Sequence, residues 1–136
     1  MDLFAQIRQI EFAAPLPATL LEVEQRFDAP KLPDVAAAVR DALESGDLLR
    51  RMQPGQTVAV GVGSRGIANL PAIAAAVVAR LRAAGLHPFI VPAMGSHGGA
   101  TAEGQLEVLA QLGVTEAAVG APLRATMEVA EVGRLP

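Results

Sequence analysis

Two glycine-rich segments carry the side chains best suited to chemistry. The first reads Gly61-Val62-Gly63-Ser64-Arg65-Gly66, and the second Met94-Gly95-Ser96-His97-Gly98-Gly99-Ala100-Thr101. Arg65 brings a permanent positive charge and a planar fork that matches a carboxylate or a phosphate. His97 brings a ring that moves a proton near neutral pH. Ser64, Ser96 and Thr101 carry hydroxyls that either bind a ligand oxygen or cap a helix. Gly63, Gly66, Gly98 and Gly99 let backbone approach a ligand closely, or serve tight helix–strand packing. Together these groups suit a small anionic substrate, or a phosphate-bearing cofactor, held beside an acid/base.

Other chemistries fit less well. Gly61, Gly63 and Gly66 match G-x-G-x-x-G, but the acidic residue that a dinucleotide site needs about twenty positions on is missing. That region holds Leu86, His87 and Pro88. Neither serine sits in a G-x-S-x-G elbow, because Val62 and Met94 occupy the first glycine's place. The chain has no cysteine, so thiolate nucleophiles, disulfides and iron–sulfur clusters are excluded. Its two histidines are far apart in sequence and give no metal-ligand cluster, so no metal site is expected within this chain. His87 falls between a helix stop and a strand, where a structural or surface role is expected. Glu22, Glu24, Glu128 and Glu131 read as solvated strand faces.

The elements that must position the two loops follow from periodicity. Residues 57–62 are a continuous run of β-branched and small side chains, as in a strand buried on both faces. Asn69 and Pro71 open a helix with Ile73, Val77 and Leu81 as its inner stripe, closed by Gly85. Residues 88–91 form the next strand, so a βαβ unit with parallel neighbours is expected. Ligands collect outside the carboxyl ends of such strands, which is where both loops lie. Each loop also leads into a helix start, whose free N–H groups and dipole favour an anion.

The flanks add further elements. Ile7, Ile10 and Phe12 mark a short apolar stretch, and residues 20–27 alternate as a half-buried strand. Asp34 opens a helix carrying Val35, Val39 and Leu43, and Gly46 ends it. Residues 47–52 suit one more helical turn before the break at Pro54-Gly55. Thr101 can cap a helix with Leu106, Leu109 and Leu112 facing inward and Gly113 as its stop. Residues 115–119 read as a short helix and residues 127–132 as a strand. The expected class is α/β: a parallel βαβ core with helices packed on the sheet and N-terminal strands added. A strand and turn with no return strand suggest that residues 1–136 are one truncated N-terminal domain of a two-domain protein.

Composition narrows the partners. The chain has 136 residues, enough for one domain with a real core. Hydrophobic residues make up 51% and aromatic residues 3%, so the core must be aliphatic and base-stacking platforms are scarce. A net charge of −3 with scattered arginines argues against nucleic acid or an anionic membrane as partner. The start lacks the order of a signal peptide and apolar stretches stop short of a span, so a cytoplasmic protein is expected.

The two loops are also familiar as a pair. Gly63-Ser64-Arg65-Gly66-Ile67, then Phe89-Ile90-Val91-Pro92-Ala93 running into the second loop, resemble the N-terminal domain of the lactate racemase family. Ala102-Glu103-Gly104-Gln105 and Met127-Glu128-Val129 continue the likeness, which covers roughly residues 34–136. The resemblance implies racemisation of a 2-hydroxy acid with a nickel-pincer nucleotide. In that mechanism a histidine takes the hydroxyl proton while the cofactor accepts hydride from carbon. It matches His97 to one of two catalytic histidines and Arg65 to the arginine that holds the substrate carboxylate, with Ser64 beside it. Gly63, Gly66, Ser96, Gly98, Gly99 and Thr101 would then face the cofactor. Characterised members have Asp and Thr before the arginine and Pro after it, whereas Gly63, Ser64 and Gly66 stand here, as in a divergent branch. The second histidine, the tethering lysine and the nickel-binding histidine lie beyond the matched region. The resemblance therefore implies a chain inactive alone, completed by a C-terminal domain, with exposed apolar surface that favours self-association. A transferase using the loops as an anion cradle, and a non-catalytic ligand-sensing module, are the competing readings.

Overall fold

The computed structural model describes residues 19, 21–28 and 30–134. The chain divides into two units, Met1–Lys31 and Leu32–Pro136. In the first, residues 21–28 form no strand, and Leu21, Val23 and Phe27 are exposed. This corrects the half-buried strand expected over residues 20–27. Alternation makes a strand only where a neighbour supplies hydrogen bonds and covers one face, and among the described residues these have neither. The Arg26 guanidinium instead donates to both Glu24 carboxylate oxygens, at 2.9 and 3.0 Å. The apolar stretch at Ile7, Ile10 and Phe12 lies outside the described residues.

The second unit begins with α1, Val35–Ser45. The Ala37 amide donates to Asp34 Oδ1 at 2.9 Å, so the expected cap forms. A short 3₁₀ turn, Leu49–Arg51, follows. Then come β1 (Thr57–Val62), α2 (Leu70–Ala83) and β2 (His87–Pro92). A 3₁₀ turn at His97–Ala100 leads into α3 (Ala102–Gln111), and α4 (Glu116–Val119) closes the series. The unit is mixed α/β, and β1 and β2 pair in parallel from Thr57↔His87 to Val62↔Pro92. Among the described residues no helix is long and apolar enough to cross a membrane.

The core lies on one face of this sheet. Val62 and Ile90 pack with Leu70, Ala74, Val78, Leu109, Val114 and Val119. On the other face Thr57, Ala59, Gly61 and His87 are exposed, and Phe89 and Val91 are half-buried. β1 is therefore not buried on both faces as its composition suggested. Its small and β-branched residues suit either situation, and the described helices cover only the Val62 side. The stripe of α2 is also corrected. Leu70, Ala74, Val78 and Leu81 face the core, while Ile73 and Val77 are half-buried. Nearly every residue of α2 is apolar, so periodicity alone fixes no phase. Asn69, expected to cap α2, takes a left-handed φ of 57° and its side chain makes no capping bond.

Two further differences concern the carboxyl side. Residues 127–132 form no strand, and Val129 and Val132 are fully solvent-facing. The third strand position is taken earlier, by a parallel bridge between Leu123 and Ile90. The Ile90 amide donates to Pro122 O at 2.8 Å, and the Arg124 amide to Ile90 O at 2.9 Å. Glu116 Oε1 accepts from the Leu123 amide at 3.0 Å, which ties this segment to α4. On α3, Leu109 is fully buried and Leu106 half-buried, but Leu112 is exposed. Leu109→Ala should therefore cost about 2–5 kcal/mol of stability and Leu112→Ala less than about 1 kcal/mol, read from urea denaturation.

Candidate functional site

Register decides where the two loops meet. Val62 and Pro92 are partners at the ends of β1 and β2, and the Ala93 amide donates to Val62 O at 2.8 Å. Both loops thus leave the same, carboxyl end of the sheet. They bring together three of the residues singled out from sequence. Ser64 Oγ lies 2.6 Å from His97 Nδ1, and Arg65 Nη2 lies 3.5 Å from His97 Nε2. Ser64 and His97 are half-buried and Arg65 is exposed. A concavity of about 350 Å³ beside them is lined by Gly63, Ser64, Arg65, Ile67, Ala93 and Met94.

These contacts select a tautomer. A guanidinium only donates, so Arg65 is compatible with a bare lone pair on Nε2 and repels an N–H there. In the tautomer this favours, the ring proton of neutral His97 is on Nδ1 and is donated to Ser64 Oγ. The Arg65 contact is long and therefore weak, but the 2.6 Å bond to Ser64 is short and leaves Nε2 facing the arginine side. Nε2 is thus placed as a proton acceptor. The opposite arrangement, with Nδ1 accepting from Ser64 as a nucleophile's base, would set two N–H groups against each other. The geometry favours acid/base work by His97 over nucleophilic work by Ser64.

Packing sets the second loop against α3. Gly98 has φ 62° and lies directly against Gly104 of α3, so close that a side chain on either residue would collide with the other's backbone. Thr101 Oγ1 donates to Gly98 O at 3.1 Å and accepts from the Gly104 amide at 3.1 Å. Gln105 Nε2 donates to Gly95 O at 2.7 Å, and Gln105 is buried. The structure thus gives Gly98 and Thr101 local duties that need no ligand. A Cβ at Gly66 or Gly99 would meet open space, although both carry positive φ. Ser96 is exposed and makes no capping bond through its side chain.

Gln105 escaped the sequence reading. Its signal was present: it lies four residues before Leu109, on the same helix face, where a polar side chain needs a partner. Among the described residues no three His, Asp or Glu side chains come together as a metal site, and no carboxylate pairs with Arg65. His87 lies at the other end of β2, away from this cluster.

Two outcomes check the geometry. Nitrogen-15 spectra of neutral His97 should show a protonated Nδ1 and an unprotonated Nε2, and Ser64→Ala should shift the ring toward the other tautomer. Gly→Ala inside a helix ordinarily stabilises by about 1 kcal/mol. Gly104→Ala should reverse that sign and cost about 1–3 kcal/mol in urea denaturation, because the new methyl meets the Gly98 carbonyl. Comparison with protein-family models, curated proteins and solved structures finds no match to this chain.

Proposed function

We propose that this chain is the N-terminal, substrate-facing domain of a 2-hydroxy-acid racemase or epimerase. The observation that carries the reading is the contact of His97 with Ser64 and Arg65, two residues that line the concavity. Arg65, exposed and without a carboxylate partner among the described residues, would grip the substrate carboxylate through its fork. His97 Nε2, carrying the lone pair, would take the proton of the adjacent hydroxyl and return it later. Ile67, Ala93 and Met94 form the apolar wall against which the rest of the acid would lie. The resemblance of both loops to the lactate racemase family points the same way.

The nickel-pincer nucleotide implied by that resemblance would supply the redox half of the reaction. The donor set here does not fit it. No three metal-ligating side chains converge among the described residues, and the one lysine, Lys31, belongs to the other unit. The proposal therefore assigns this chain carboxylate capture and proton transfer only, with a further domain carrying the remaining groups.

Titration of the chain with a 2-hydroxy acid should perturb the His97 resonances saturably. Arg65→Ala should weaken that binding by about tenfold or more, as loss of a charged hydrogen bond does. Protein carrying its following domain, produced with the cofactor-synthesis enzymes, should interconvert the two enantiomers, and His97→Ala should slow this by about 10²–10⁴-fold. Binding indifferent to Arg65→Ala, or such protein without nickel and without interconversion, would end the reading.

A further inference from the structure

The end of the sheet away from the loops holds a second concavity, of about 260 Å³. Thr57 and His87, the first residues of β1 and β2, lie on its lining together with Phe89, Arg82 and Arg124. Arg82 comes from the last turn of α2 and Arg124 from the segment that bridges to Ile90. Three basic side chains from three separate parts of the chain thus surround one hollow, in a protein whose net charge is −3. No acidic residue lines it. Among the described residues neither arginine forms an ion pair. Glu116, whose Oε1 accepts from the Leu123 amide, forms no ion pair with either.

Arg124 is not loose. Its guanidinium carbon stands 4.6 Å from the Phe89 ring centroid, a cation–π contact that holds the planar fork against the ring. Its backbone amide is fixed on Ile90 O at 2.9 Å. A stacked guanidinium keeps its edge N–H groups available for an oxyanion, in the plane that bidentate pairing requires. Arg82, His87 and the Thr57 hydroxyl supply further donors around the same space. Two fixed positive charges exceed what a single carboxylate neutralises, and a doubly charged tetrahedral oxyanion balances them.

We infer that this hollow binds a phosphate dianion, free or as a small monoester, at a site separate from the Ser64–Arg65–His97 cluster. The inference stands apart from the racemase reading, since it uses none of the same residues. The chain's two histidines report on the two places independently. Inorganic phosphate and methyl phosphate, each titrated at constant pH and ionic strength into the full 136-residue chain, should shift the His87 ring resonances along a saturating curve. Tighter binding of methyl phosphate would identify a monoester as the occupant, and tighter binding of inorganic phosphate the free ion. R82A and R124A should each raise the apparent Kd read at His87 by about tenfold or more. Resonances at His87 that drift without saturating for both ligands, or R82A and R124A chains that both bind like the original, would overturn the inference.

Discussion

Parallel pairing of two six-residue strands is the constraint on which the candidate site depends. Because Val62 and Pro92 end the ladder side by side, the loops that follow leave from one edge and in one direction. A slip of one residue would turn each strand over and move its apolar side chains off the core face. Ile90, fully buried on that face, and Val62 beside it set a high cost on such a slip. The position of His97 against Ser64 and Arg65 is thus secured by core packing several residues away.

The second consequence is electrostatic. A permanent cation beside one nitrogen of a histidine, and a short hydroxyl contact at the other, give the ring one preferred neutral form. Proton acceptance is then aimed at the side where an anionic guest of Arg65 would sit. The arrangement uses no buried charge. Arg65 is exposed to water, which avoids the desolvation cost of a buried guanidinium.

The parallel βαβ unit, the ends of its strands and the meeting of the two loops were legible in the sequence. Short β-branched runs, glycine stops and proline at a helix start each report local backbone preferences. What was illegible depends on neighbours. The run at residues 57–62 reads the same whether one face or two are covered. The uniformly apolar α2 has no contrast from which to read its inner stripe, so its sequence does not distinguish Ile73 and Val77 from the core-facing Ala74 and Val78. Residues 127–132 read as a strand, yet Leu123 takes the strand position because Glu116 and Ile90 hold it there. At the site, residue types pointed to Arg65 and His97. The roles of Thr101 and Gly98 are set by contacts with α3, and Gln105 acts from outside both loops.

The bond pair at Thr101 links two events that otherwise occur independently. One hydroxyl both closes the first turn of α3 and anchors the carbonyl of the glycine next to His97. Fraying of that helix end, an ordinary low-energy opening in a folded protein, would release the imidazole from its setting at the same moment. Warming would then degrade the histidine's alignment well before the core at Ile90 and Leu109 melts, and any ligand that steadies the imidazole would in turn slow amide exchange along the start of α3.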